Sequence, residues 1–276
     1  MSMSDRFPLN YFKSIWTPKQ VYVGRRNLNW FQLIFILLFL NALLVIPVTL
    51  HYTKMDDLPI DGTFPNAFSL IDESVVAELK DEQFVNGTME VKEPFYIEKD
   101  QGVIGAGLEE GEVEKALEKE NALLFLEKEL LLKEGDHPVS EVPFTKDFDL
   151  SKIETVDDLK EEISRQWFVH NKSFVVGSFS FIIFTILLVS LLTIVLGASL
   201  FIYLARRSRL INIRSFKESV NLIVNCISLG SIVAMIGGLI YFDIIVMIMI
   251  QSLGLVFMLL AVFFKGAKYE TEQATD

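Results

Sequence analysis

The sequence predicts an integral membrane α-helical protein with four transmembrane helices and an extracytoplasmic α+β domain inserted between helices 1 and 2. Three observations predict this class. Apolar residues make up 51% of the 276 residues, but they are concentrated in long runs, as in membrane-spanning helices. The acids are concentrated between the first two runs. Lys and Arg lie at the ends of the runs that face away from the acidic interval, as the positive-inside rule requires of cytoplasmic segments.

The charge of the chain is divided between two regions. Residues 54–170 contain 30 acids and 12 bases, a net charge of −18, whereas the rest contains 6 acids and 13 bases, a net charge of +7. A uniformly acidic soluble protein would not divide in this way, but a bilayer sorts Lys and Arg to one side. We expect no nucleic-acid partner for so acidic a chain.

The first transmembrane helix is predicted at 30–53. Trp30 to Tyr52 carries no acid, Lys or Arg over 23 residues, enough to cross a hydrocarbon layer of about 30 Å. A cleavable signal peptide is the alternative, but the apolar part exceeds the usual ~7 to 15 residues and no small-x-small site follows it.

Residues 1–29 are predicted to form a cytoplasmic amphipathic N-terminus that lies on the inner leaflet. Docking of a cytoplasmic partner is the alternative. Its amphipathic part is expected to be a short helix before Pro18, with Leu9, Phe12, Ile15 and Trp16 as the apolar residues and Arg6 and Lys13 as the basic ones.

Three further spans follow the acidic interval. The second is predicted at 173–205, where one helix would be about 50 Å long, so either it tilts or its first turns rise above the membrane. The small residues Gly177, Ser178 and Ser180 favour the second possibility. The apolar run that follows is about twice the length of one crossing and must form a hairpin. It predicts the third helix at 220–240, an outer turn at 241–243 and the fourth helix at 244–264.

Basic residues determine the predicted orientation. They precede the first span, occupy the linker at 206–219 and begin the tail at 265–276, so both termini of this multi-pass protein are predicted to be cytoplasmic in the cell membrane. Some of them are candidates for contact with anionic lipid at the membrane surface. These candidates are Arg25, Arg26, Arg206, Arg207 and Arg209.

Residues 54–172 are predicted to form the extracytoplasmic acidic α+β domain. Asn86-Gly87 separates two short strand-like runs and favours a tight β-hairpin. A helix near Val113 is expected to be followed by a strand in ALLFLEKELLL; a continuous helix is the alternative, but it would expose one of four consecutive apolar residues. Thr155 is a candidate N-cap of a helix that leads into the second span.

Chemistry-bearing motifs are sparse. Three histidines are too few and too scattered for a local metal site, although His51 and His170 could approach one another near the outer boundary. The glycine series GVIGAGLEEG lacks a phosphate-loop pattern and is followed by acids that would repel phosphate. We therefore predict no catalytic residue, no metal ligand and no cofactor, and we expect no enzymatic activity.

Polar residues inside the predicted spans are candidates for helix packing or for a solute pathway. Asp243 would indicate a proton or substrate path at membrane depth, but the span lengths place it at a hairpin tip. Interhelical hydrogen bonding is the ordinary use of the amides, and Gly237 and Gly238 indicate close helix packing. The candidates are Asn41, Asn221, Asn225, Asp243 and Gln251.

Several segments, together with their order along the chain, resemble those of a family of four-span membrane proteins of Gram-positive bacteria. The family is of unknown biochemical function, and its members are often labelled maltodextrin-utilisation proteins. The segments are RFPLNYFKSIWTPKQVYVGRR, the hairpin with GVIGAGL and LLFLEKEL, and FIYLARRSRLINIRSFKESVNL. The resemblance implies a link to maltodextrin but carries over no functional residue.

These observations favour a non-enzymatic multi-pass membrane accessory or regulatory protein as the expected function, and the resemblance connects that role with sugar utilisation. Its expected partners are the lipid bilayer and a membrane protein such as a sugar transporter. A small transporter or transporter subunit is the alternative, which the sparse intramembrane polarity disfavours.

Overall fold

The computed structural model describes residues 6–80, 82–85, 87–206 and 213–273. Four of its helices are long and apolar enough to cross a membrane. The chain divides into two compact units, which we call the helical unit (Met1–Lys54 and Val176–Asp276) and the α+β unit (Met55–Val175). Asn86, Arg207 and Arg209 lie outside the described residues.

The helices and strands are numbered in chain order within the described residues. The helices are α1 (Leu9–Lys13), α2 (Pro18–Val23), α3 (Trp30–Thr53), α4 (Pro65–Ser69), α5 (Glu73–Lys80), α6 (Glu110–Leu117), α7 (Val156–Ala205), α8 (Phe216–Ile240) and α9 (Ile244–Gln273). The strands are β1 (Gln83–Val85), β2 (Thr88–Glu90), β3 (Phe95–Lys99), β4 (Gly102–Ala106), β5 (Asn121–Phe125), β6 (Glu129–Glu134) and β7 (Ser140–Pro143).

Helix α8 forms the centre of the helical unit. Every residue from 219 to 228 is buried, because α3, α9 and the N-terminal segment (residues 6–29) surround this half of the helix. It approaches α9 closely at Gly230 and Gly254, where a Cβ atom on Gly254 would lie 2.6 Å from the Gly230 Cα. Gly238 similarly lies against Met247, so its expected packing role is confirmed.

The short amphipathic helix expected before Pro18 is present only as α1, which contains Leu9 and Phe12 but not Ile15 or Trp16. Helix α1 ends at Lys13, and α2 begins at Pro18, whose ring disfavours helical geometry in the residue before it. The expected apolar face is divided: Ile15 is fully buried in the helical core, while Leu9, Phe12 and Trp16 are exposed. The segment therefore packs against α8 through side chains that a single-face pattern does not reveal.

Helix α7 contributes to the cores of both units. It is 50 residues long, about 75 Å at the α-helical rise. Thr155 is its N-cap: the hydroxyl accepts from the Asp158 N–H at 3.2 Å, and the Asp158 carboxylate accepts from the Thr155 N–H at 2.9 Å. Leu159 packs in the α+β core and Val195 in the helical core. The helix predicted after Thr155 and the second apolar helix are thus one element.

The described part of the α+β unit contains a five-stranded sheet in the order β3-β4-β5-β6-β7. Neighbouring strands are antiparallel except β4 and β5, which are parallel and are connected through α6. Strands β1 and β2 form the separate hairpin that Asn86-Gly87 predicts, with Gly87 at a φ of +83°. The expected helix followed by a strand is confirmed by α6 and β5.

The two faces of the five-stranded sheet are covered by different helices. Leu123 and Phe125 face a core shared with α4, α5 and the start of α7. Leu124, together with the partly buried Leu126, faces a smaller core shared with α6. Because successive side chains of a strand point to opposite faces, four consecutive apolar residues are all accommodated.

Candidate functional site

A row of buried polar side chains lies along the first half of α8 in the helical unit. Asn221, Asn225 and Ser228 are each at most 1% exposed, and they follow one another at helical spacings of four and three residues, which places them on one face. This face meets the N-terminal segment. We call these three residues the α8 polar row.

Asn221 satisfies both backbone polar groups of Leu28, just before α3. Its Oδ1 accepts from the Leu28 N–H at 3.1 Å, and its Nδ2 donates to the Leu28 carbonyl at 3.2 Å. Leu28 is itself buried, and a buried peptide group without partners is costly. The amide therefore joins α8 to the beginning of α3 with two reciprocal hydrogen bonds.

Asn225 lies one turn further along α8, and its environment is different. Neither its Oδ1 nor its Nδ2 has a hydrogen-bond partner among the described residues. A Cβ atom on Gly24 would lie 3.1 Å from the Asn225 Nδ2 and 2.6 Å from the Ser14 Oγ. Glycine at position 24 thus allows the N-terminal segment to approach the α8 polar row closely.

Tyr11 completes the contact between the N-terminal segment and α8. Its hydroxyl forms a buried hydrogen bond with the Ser228 hydroxyl, and Ser228 also donates to the Val224 carbonyl. Ser228 is the thirteenth residue of α8, so Tyr11 reaches a point about 18 Å along that helix. Sequence reasoning missed this tyrosine because a single aromatic residue in a basic segment also suits a membrane interface.

The other predicted polar residues lie at different helix contacts. Asn41 on α3 donates from Nδ2 to the Phe184 carbonyl of α7 at 2.9 Å, and Gln251 on α9 donates to the Ser231 hydroxyl of α8 at 2.8 Å. Asp243 accepts from the Val246 N–H at 3.0 Å and thereby caps α9. The structure does not bring these three residues together.

The predicted surface arginines also occupy different environments. Arg25 is only 4% exposed; it donates to the Tyr22 carbonyl at 2.8 Å, and its guanidinium lies 3.8 Å from the centre of the Tyr22 ring. It is therefore buried rather than available to a lipid surface. Arg26 forms an ion pair with Glu218 at 2.9 Å, and Arg206 lies over the Tyr203 ring.

The α+β unit contains an acidic cavity of about 520 Å³ beside the first turns of α7. Arg165 is its central base: Nη1 donates to Asp147 at 2.8 Å and Nε donates to Glu162 at 2.7 Å. The Thr145 hydroxyl and, secondarily, Arg165 hold the pKa of Asp147 below its usual range. These contacts stabilise the Asp147 carboxylate in its charged form.

Other acids of the α+β unit have structural partners. Lys99 and Ser74 lower the pKa of Asp72 to about 2, and Asp72 also accepts from backbone N–H groups at the start of α5. Glu134 accepts from the Asn66 and Ala67 N–H groups at 3.1 and 2.9 Å. Within the described residues, no group of three or more His, Cys, Asp or Glu is arranged to hold a metal ion.

Comparison with known proteins places this architecture in a family. A family model for DUF1189, described as a protein of unknown function, matches residues 10–263. The chain belongs to the DUF1189 family. The match covers the N-terminal segment, the α+β unit and the apolar helices of this DUF1189 protein, and it agrees with the resemblance seen in the sequence.

Two curated relatives of this DUF1189 protein span almost its whole length. It is 26% identical over 266 residues to the maltodextrose utilization protein MalA of Streptococcus pneumoniae, covering 94% of this chain and 95% of MalA. It is 27% identical over 280 residues to YvdJ of Bacillus subtilis, which is provisionally named a maltodextrin utilization protein. That match covers 98% of this chain and 92% of YvdJ. No solved structure matches the chain significantly.

Proposed function

We propose that this DUF1189 protein is a non-enzymatic, multi-pass accessory protein of the cell membrane that supports maltodextrin utilisation. In this proposal, the α+β unit lies outside the cytoplasm and contacts a membrane protein of the uptake system. The names of two full-length relatives support the connection with maltodextrin.

The observation that carries the proposal is the continuity of α7. One uninterrupted helix supplies Leu159 to the α+β core and Val195 to the helical core. A plain membrane anchor does not need a folded domain that shares a continuous helix with its spans. In this proposal, α7 transmits contact of a partner with the α+β unit to the apolar helices.

The sides of the membrane are assigned from charge. Basic residues before α3, between α7 and α8 and near the end of the apolar part of α9 place those segments in the cytoplasm. In this orientation, Tyr11 lies within the inner leaflet rather than on it, because it hydrogen-bonds to the middle of α8. The N-terminal segment is then part of the membrane domain.

The carboxylates support a non-enzymatic role. A general acid at neutral pH needs a raised pKa, whereas the carboxyl groups with a perturbed pKa in the described part of the chain, Asp72, Asp147 and Asp158, all have it lowered by hydrogen bonds. They serve as helix caps and ion-pair partners.

A pair of variants at Gly177 tests the coupling. Gly177 is exposed in α7, and a Cβ atom added there would have open space around it. Gly177→Pro should interrupt the helix at a cost of about 3 kcal/mol in helix propensity, while Gly177→Ala should preserve or strengthen it. In a strain lacking the gene, we expect Gly177→Ala to restore growth on maltodextrin and Gly177→Pro to fail at equal membrane abundance. Full growth with Gly177→Pro would refute coupling through α7.

Two measurements test the rest of the proposal. In a Cys226→Ala background, a cysteine placed at the exposed Asp100 should react with an impermeant reagent on intact cells; reaction only after lysis would reverse the topology. Purified protein in liposomes should not move maltodextrin by itself. Uptake by the protein alone would establish a transporter instead.

A further inference from the structure

An apolar groove on the helical unit is unused by the function proposed above. It has a volume of about 500 Å³ and lies between Pro18 of α2, Gly230 and Val233 of α8, and Gly254 and Phe257 of α9. Its floor is the crossing of α8 and α9, where two glycines meet without side chains. Val233 is 49% exposed and Phe257 66% exposed, so the walls are open to the surroundings.

The groove follows one face of α9 for a defined length. Its α9 residues recur at intervals of three and four, from Ile250 through Leu253, Gly254, Phe257 and Met258 to Ala261. Eleven helical steps from Ile250 to Ala261 span about 16 Å. Half of a ~30 Å hydrocarbon layer is about 15 Å. The groove therefore has the length of one leaflet.

Positive side chains border this apolar surface. Lys265 is exposed and lies one turn beyond Ala261, where the same face of α9 continues. Lys19 directly follows Pro18 and is also exposed. Basic residues beside a gap between transmembrane helices on the cytoplasmic side suit an anionic lipid headgroup.

We propose that this groove binds one acyl chain of an anionic phospholipid of the cytoplasmic leaflet, with the lipid phosphate held near Lys265 and Lys19. The inference rests on the membrane embedding in the proposed function. A second copy of the chain fits less well. In a dimer with its twofold axis along the membrane normal, each Lys265 would lie at the same depth as its counterpart, and the like charges would repel.

Native mass spectrometry of the purified full-length protein, with phosphatidylglycerol or phosphatidylcholine added to the micelles, tests the proposal. We expect about tenfold greater retention of phosphatidylglycerol, because each lysine near an anionic headgroup favours it. Replacing Lys19 and Lys265 together by Gln should remove this preference while leaving acyl-chain binding intact.

Leu253→Trp and, separately, Val233→Trp should fill the groove and reduce retention of both lipids. Leu200→Trp is the matched control, because Leu200 is 50% exposed on α7 and lies outside the groove. Equal retention of the two lipids by the unaltered protein would overturn the headgroup assignment. Unchanged retention in both groove variants would overturn the site. A dimer that Leu253→Trp converts to monomer would establish a second copy as the occupant.

The lipid-binding groove and the accessory role in maltodextrin utilisation are refuted by different experiments. Lipid retention is measured on purified protein and does not depend on growth. A strain that grows normally on maltodextrin without the gene would refute the accessory role alone. Unchanged lipid retention in both groove variants would refute the groove alone.

Discussion

Replacing Asn221 by Ala removes the two hydrogen bonds that its side chain forms with the backbone N–H and the backbone carbonyl of Leu28. The N–H and the carbonyl of that buried residue then have no replacement partner from the alanine side chain. Each unsatisfied buried group costs about 1–3 kcal/mol. The average interhelical side-chain hydrogen bond in a membrane protein is worth only about 0.6 kcal/mol. Two such groups give a range of about 2–6 kcal/mol. Because the average membrane hydrogen bond is weak, we expect Asn221→Ala to lower the free energy of unfolding by about 2–4 kcal/mol, in the lower part of that range.

Asn225→Ala is the matched control for this prediction. Asn225 is the same residue type on the same helix, one turn away, and is equally buried, but its amide has no hydrogen-bond partner among the described residues. Truncation removes a similar volume at both positions. It also removes two unsatisfied polar atoms at position 225, so we expect a loss of less than about 1 kcal/mol there.

Unfolding of the purified protein by increasing SDS in mixed micelles would measure both free energies. The Asn221 Nδ2 also donates to the Lys217 carbonyl of α8 at 3.1 Å. The difference between the two variants, about 2 kcal/mol, therefore measures all the hydrogen bonds of the Asn221 amide, two of which go to Leu28. Equal losses would show that removed volume rather than hydrogen bonding determines the cost. An Asn221→Ala protein as stable as the unaltered protein would refute the reasoning.

Three further predictions concern single contacts. Asp72 is paired with Lys99, and its pKa is lowered to about 2. Because its side chain is 52% exposed, solvent screens the resulting stabilisation of the folded protein to about 1 kcal/mol. This stabilisation should be present above about pH 4 and lost as the pH falls toward 2. Asp72→Asn should keep the helix cap but remove this pH dependence in thermal unfolding; an unchanged pH profile would contradict the assignment. Glu134→Gln should lower the free energy of unfolding by about 1–3 kcal/mol, because the NH₂ group of the glutamine would face the Ala67 N–H of α4, so that two donors meet. Equal melting temperatures of the variant and the unaltered protein would contradict this. Gly254→Leu should separate α8 from α9 and lower the yield of folded protein, since even a Cβ atom would lie 2.6 Å from Gly230; normal yield and melting would show that the crossing can adjust.

The strand in ALLFLEKELLL illustrates what pattern and physical chemistry could predict. Four consecutive apolar residues cannot all be buried by a helix with one covered face, but a strand with cores on both sides buries them all. Leu123 and Leu124 occupy these two cores. The break between α8 and α9 similarly followed from length, and Asp243 caps the second helix.

The enclosure of α8 could not be predicted from apolar content. Both α8 and α9 have the length and apolar content of membrane spans. In the apolar stretch of α8, however, 56% of the residues are buried within the protein, compared with 17% in the apolar stretch of α9. Hydropathy measures transfer into an apolar surrounding and does not distinguish lipid from protein. The signal that could have distinguished them is the polar row itself, since the polar side chains of Asn221, Asn225 and Ser228 favour a helix face covered by protein over one facing lipid.

The sequence by itself determined the four apolar helices, the α+β character of the acidic interval and the hairpin turns, because each follows from the length and periodicity of a local run. The tertiary structure alone decided that the N-terminal segment packs along α8, that Asn221 bonds to Leu28, and that two distant glycines form the floor of a groove. These contacts join residues far apart in the chain, and no local pattern records which surfaces meet.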